Sequence, residues 1–88
     1  MHAVVVNVTL TQDPEASEAV LREEVVPRVS QAPGFIAGYW TRKGNGGLSM
    51  TVWESEDGAT AASEMVRSAL PQGVTLDSVE VREVVASA

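Results

Sequence analysis

Cysteine is absent from the 88 residues, and histidine occurs once, at His2. Without thiols there is no disulfide, no thiolate metal site and no cysteine nucleophile. One histidine beside Met1 leaves no His/Asp/Glu set at metal-ligand spacing, so no metal site is expected. A Ser-His-Asp triad would have to draw on His2, which is expected to fray and stay exposed. Basic residues are few: six against twelve acidic ones, for a net charge of −6. They are scattered at Arg22, Arg28, Arg42, Lys43, Arg67 and Arg82. Phosphate contacts need clustered cations, so nucleic acid is not an expected partner, and the acidity serves solubility. No apolar run approaches the ~20 residues of a membrane helix. No basic start and no small-residue cleavage site precede the first polar turn. A cytoplasmic protein with no membrane partner is the expectation.

What remains is a β-branched and apolar chain, one domain over residues 1–88. A domain this small buries only roughly 60–65% of its unfolded surface, and association is the stabilising aid still open to it. Residues 2–10 predict a strand. One face carries His2, Val4, Val6, Val8 and Leu10, the other Ala3, Val5, Asn7 and Thr9. Both faces are apolar at the centre, the mark of a strand covered on both sides. Asp13-Pro14-Glu15 starts a helix: aspartate caps free amides, proline suits the first turn and glutamate suits the dipole. Ala16, Ala19, Val20, Val26 and Val29 fall on one stripe, Pro27 predicts a kink, and Ala32-Pro33-Gly34 closes the segment.

Residues 35–42 predict the second strand and residues 48–54 the third, joined by a hairpin loop at Lys43-Gly44-Asn45-Gly46-Gly47. Pairing Arg42 with Leu48 would put Trp40, Met50 and Val52 on one face and Phe35, Tyr39, Thr51 and Trp53 on the other. A slip of one residue would exchange these partners. Ser55 is a candidate cap for a second helix running to about Leu70, broken by Pro71-Gln72-Gly73. Its first half is small: Gly58, Ala59, Thr60, Ala61, Ala62, Ser63. Such residues either bring the helix close to the sheet or leave space beneath it, and the sequence leaves both open. Residues 74–85 predict a last strand with Val79, Val81 and Val85 on one face.

The order β-α-β-β-α-β predicts an α+β, ferredoxin-like fold: a four-stranded antiparallel sheet with two helices on one face. Two helices cover one side of four strands. The other side would expose an apolar patch beyond what monomers tolerate, so a homodimer is predicted. Burying ~600 Å² of apolar surface per subunit would contribute on the order of 15 kcal/mol before association costs.

Ala32-Pro33-Gly34-Phe35 followed by Gly38-Tyr39-Trp40, with Val52-Trp53-Glu54-Ser55-Glu56-Asp57 at the third strand and second helix, resembles the antibiotic biosynthesis monooxygenase superfamily. The resemblance covers nearly the whole chain. It implies a dimeric α/β barrel and, in the members that oxidise aromatic polyketides, a pocket between sheet and helices and no cofactor. Members that degrade heme use an asparagine in the first strand, where Asn7 falls. They also use a tryptophan and an iron-binding histidine in the second helix, and neither residue is present there. Heme degradation is therefore disfavoured.

The candidate site residues are Asn7, Tyr39 and Trp53. Asn7 is the one amide in an apolar strand: it holds a substrate group, or it lies on an exposed edge or bonds to neighbouring backbone. Tyr39, Trp53 and Phe35 either line an aromatic pocket, with the Tyr39 hydroxyl as acid or donor, or form plain core. Gly44-Asn45-Gly46-Gly47 lacks the Lys-Ser/Thr of a phosphate loop and is a hairpin. Glu54, Glu56 and Asp57 form a solvated helix start. Two functions stay open: a cofactor-independent monooxygenase acting on a small aromatic or polyketide-like compound, or a non-catalytic dimeric small-ligand-binding or assembly module.

Overall fold

In the computed structural model the described residues are 1–11, 13–68, 70 and 73–88. The chain runs β1 (His2–Leu10), α1 (Pro14–Val20), a π-helical turn (Leu21–Val25), α2 (Val26–Ser30), β2 (Phe35–Lys43), β3 (Gly46–Trp53), α3 (Glu56–Ser68) and β4 (Val74–Glu83). All three strand pairings are antiparallel, in the order β2-β3-β1-β4. This is the ferredoxin-like sheet expected from the element order, with α2 against β2 and α3 against β1, β3 and β4.

The local signals act as their chemistry predicts. The Glu15 amide donates to Asp13 Oδ1 at 3.1 Å, and the Gly58 amide to Ser55 Oγ at 3.1 Å. Each cap satisfies a donor that the first helical turn leaves free. Gly34 and Gly73 take φ of +84°, which closes the turns before β2 and β4. Pro27 does more than kink its helix. The α-helix widens to π over Leu21–Val25, immediately before the proline-bearing α2. A proline ring clashes with the carbonyl four residues back, and a wider turn relieves that clash without ending the helix.

Four expectations are corrected. Thr41 pairs with Leu48 and Arg42 with Gly47, one residue away from the predicted register. The physical cause is the loop, which has only Gly44 and Asn45 between Lys43 and Gly46. Gly44 has φ of +60°, the positive value that the first position of a two-residue turn requires. The slip moves Trp40 to the face of Thr51 and Trp53, and moves Tyr39 to the face of Met50 and Val52. A bulge between Phe35 and Ala37 keeps Phe35 opposite Trp53. The second helix ends at Ser68, short of Leu70, and the predicted break at Pro71-Gln72 lies outside the described residues. β4 stops at Glu83, leaving Val85 87% exposed. His2 is half-buried at the start of β1, its Nε2 3.4 Å from Glu56 Oε2, where fraying was expected.

The core lies on the helix side of the sheet. Val4, Val6, Trp53 and Ala59 are buried, and Val8, Val29, Phe35, Val66, Leu76 and Val79 pack around them. Ala59 is fully buried and Ser63 nearly so, with Ser63 Oγ donating to the Thr60 carbonyl at 2.7 Å. The small residues of α3 thus serve close approach at these two positions. No helix among the described residues is long and apolar enough to cross a membrane.

Candidate functional site

Between the helices and the sheet lies a cavity of about 520 Å³. That size is within the range of small-molecule sites. Its floor comes from Val6 and Val8 of β1 with Trp40, Thr51 and Trp53 of β2 and β3. Its roof comes from Val20, Leu21, Val25, Val26 and Val29 of the first helical run, and Ala62, Met65 and Val66 of α3 close one side. Ala16 lines it as well, whereas Ala19 of the predicted stripe does not. The π turn carries the roof across the cavity at Leu21 and Val25.

Trp53 is the anchored ring. It is 3% exposed, and its Nε1 donates to Thr51 Oγ1 at 2.9 Å. Phe35 meets it edge to face, with centroids 5.5 Å apart at 84°. This geometry fixes the indole from two sides and satisfies its one polar atom. Trp40 is half-buried, held close over the strand at Gly38. Any side chain at position 38 would meet that ring, since a Cβ there falls 2.8 Å from Trp40 Cη2.

Charge gathers at the rim. Glu18 of α1 forms an ion pair with Arg42 of β2, Oε1 to Nη2 3.0 Å, and its Oε2 lies 3.9 Å from Arg22 Nη2. Glu18, Arg22 and Arg42 all line the cavity, and all three side chains are at least a third exposed. An apolar interior with a charged lip accepts a compound with an apolar body and a polar end.

The three predicted site residues do not meet. Trp53 lines the cavity. Asn7 pairs with Leu48 and Ser78 on the opposite face of the sheet, and its Nδ2 donates to Ser78 Oγ at 3.1 Å. Tyr39 is 68% exposed on that same outer face, opposite Met50. Neither Asn7 nor Tyr39 is among the residues lining the cavity. Sequence reasoning does not single out Trp40 as a site residue. The signal that places it is Gly44-Asn45, a two-residue hairpin dipeptide whose short loop fixes the register.

No family model matches the chain, and no curated protein is similar to it. Solved structures are. MupZ from Pseudomonas fluorescens is 16% identical with a TM-score of 0.73, over 91% of this chain and 65% of MupZ, so the chain spans under two thirds of that protein. SnoaB, a cofactor-independent oxygenase from Streptomyces nogalater, is 12% identical with a TM-score of 0.62, over 98% of this chain and 95% of SnoaB. A dimeric ferredoxin-like protein from an uncultured marine organism is 13% identical with a TM-score of 0.69, over 100% of this chain and 98% of that one. The chain has the ferredoxin-like fold found in antibiotic biosynthesis monooxygenase-like proteins, as its motifs implied.

Proposed function

We propose that the protein is a homodimeric, cofactor-independent monooxygenase whose cavity holds a small aromatic or polyketide-like compound. The observation that carries this reading is the apolar cavity of about 520 Å³ beneath the helices, floored by Trp40 and Trp53, in a fold shared with a cofactor-independent oxygenase. Indole faces suit flat unsaturated rings. A methylene flanked by two aryl rings supplies the electrons itself. Its two C–H bonds break and a C=O bond forms to one atom of molecular oxygen. The other oxygen atom leaves as water with the two hydrogens, so the substrate is the reductant. Trp40 closes over the ring system from the strand end, and the almost wholly buried Trp53 fixes the floor beneath it. In this reading Asn7 and Tyr39 lie on the paired outer face of the sheet and take no part in the reaction. The dimeric relative and the exposed apolar side chains of that face support the pairing.

Oxygen uptake with anthrone and no added cofactor tests it. Turnover above the uncatalysed rate is expected, reduced at least about tenfold in Trp40→Ala, the equivalent of about 1.4 kcal/mol in the barrier. Loss of turnover in a folded Asn7→Ala or Tyr39→Phe dimer would move the reacting centre to the outer face and overturn the cavity reading. The ligand-binding module is the second reading, favoured by the sparse acid-base groups: Glu18 is the one carboxylate among the described lining residues, and it is already paired with Arg42. It predicts quenching of the tryptophans by anthrone without oxygen uptake.

A further inference from the structure

The charge around the cavity runs against the charge of the molecule. The chain has six basic and twelve acidic residues. Three of the six basic ones, Arg22, Arg28 and Arg42, line the cavity, whereas Glu18 is the one acidic residue among its described lining residues. A protein of net charge −6 therefore surrounds this apolar chamber with an excess of cations among its described lining residues. Chance scattering would put twice as many acidic as basic groups there.

The arrangement is also specific. Glu18 Oε1 sits 3.0 Å from the Arg42 guanidinium, which reaches over from β2, and Glu18 Oε2 is 3.9 Å from that of Arg22, one turn along the helix. One carboxylate is thus held at the cavity lip by two guanidinium groups arriving from different elements. Guanidinium groups pair with carboxylates, and the Glu18 carboxylate stands between the two where another carboxylate would sit. It is held loosely: ion pairs this exposed contribute little, so exchange for an incoming anion costs little.

We infer that the compound entering the cavity is an anion, with its apolar body against Trp40 and Trp53 and a carboxylate on Arg42 and Arg22 where Glu18 now sits. The inference rests on the proposed ligand-binding cavity and adds the charge class of its occupant. Glu18 acts as a placeholder that keeps the two arginines apart from solvent counter-ions and yields to the ligand.

Two fluorescent probes of one ring system separate this inference from the reading beneath it: anthracenecarboxylate and the neutral anthracenemethanol, titrated by quenching of tryptophan emission. The carboxylate is expected to bind the wild-type protein about tenfold more tightly, with the preference shrinking as salt is raised. Arg42→Gln is expected to abolish most of that preference and leave the alcohol unaffected. Glu18→Gln moves in the opposite direction, tightening carboxylate binding about threefold by freeing both arginines. Because the two variants change affinity in opposite senses, a folding defect in one does not imitate the pattern, and alcohol binding reports whether each variant retains the cavity. Equal affinity for both probes, unmoved by either substitution, would overturn the anion inference while the cavity reading stands. Binding of neither probe would remove the cavity reading and this inference with it.

Discussion

Gly38 carries no side chain because the ring of Trp40 already fills the space. A Cβ there would fall 2.8 and 2.9 Å from the Trp40 indole and 3.3 Å from Phe35 Cζ. Gly38→Ala must push the indole away from the strand. The ring is half-buried and can tilt, so the stability cost is expected at the low end of overpacking, about 1 kcal/mol. The larger effect falls on the site, since Trp40 lines the cavity. Urea unfolding should show a lowered midpoint at unchanged slope, and anthracenemethanol affinity should fall several-fold. An unchanged affinity would mean that Trp40 takes no part in binding. Composition makes the aromatic residues legible as candidates, but not the faces they occupy. Side-chain direction alternates along a strand, so the facing of Tyr39 and Trp40 depends on one register decision set by a two-residue loop. Trp53 keeps its expected company of Phe35 and Thr51 because the bulge at Phe35/Ala37 compensates the slip at that end.

Elements are more legible than faces, because their signals are local. The caps at Asp13 and Ser55 and the turns at Gly34, Gly44 and Gly73 are each settled by one side chain or its absence. The π turn is not legible. Pro27 announces a disturbance, but whether a helix kinks, ends or widens is decided by what its carbonyls meet in three dimensions. The small-residue half of α3 carries two readings, and both are realised: Ala59 and Ser63 lie close to the sheet, and Ala62 borders the cavity. α3 depends on its first turn, because residues 58–63 supply little apolar surface to pin it. Ser55 Oγ accepts from the Gly58 amide at 3.1 Å, and the Ser55 carbonyl accepts from the Ala59 amide at 3.1 Å. Ser55→Ala removes the side-chain cap alone and is expected to cost about 1 kcal/mol, whereas Ser55→Gly costs only a few tenths. An unchanged urea midpoint in Ser55→Ala would show that the hydroxyl bond adds nothing.

At the scale of the molecule, one side of the sheet has helices and the other has none. On the bare side, Tyr39 is 68% exposed, Leu48 41% and Met50 40%, beside the half-buried Val5 and Val52. This apolar surface lies on β2, β3 and the centre of β1. The β4 side is polar, with Asn7 bonded to Ser78, Thr9 to Asp77 and Arg82 to Glu80. The apolar half suits a second copy turned about a two-fold axis, which lays each patch on its mate and leaves the polar margins at the rim. Met50 stands between Val5 and Tyr39 in the pairing of the strands, near the middle of the patch. Met50→Lys is harmless to a lone subunit, where the position is open to water. In a pair it places two ammonium groups in an apolar contact, each costing several kcal/mol to desolvate. Sedimentation at micromolar concentration is therefore expected to give twice the 9.3 kDa chain mass for the wild-type protein and the single-chain mass for Met50→Lys, with circular dichroism unchanged. A wild-type particle of single-chain mass would mean that this face tolerates water after all, and the homodimer would have to be abandoned while the cavity on the other side of the sheet kept its own tests.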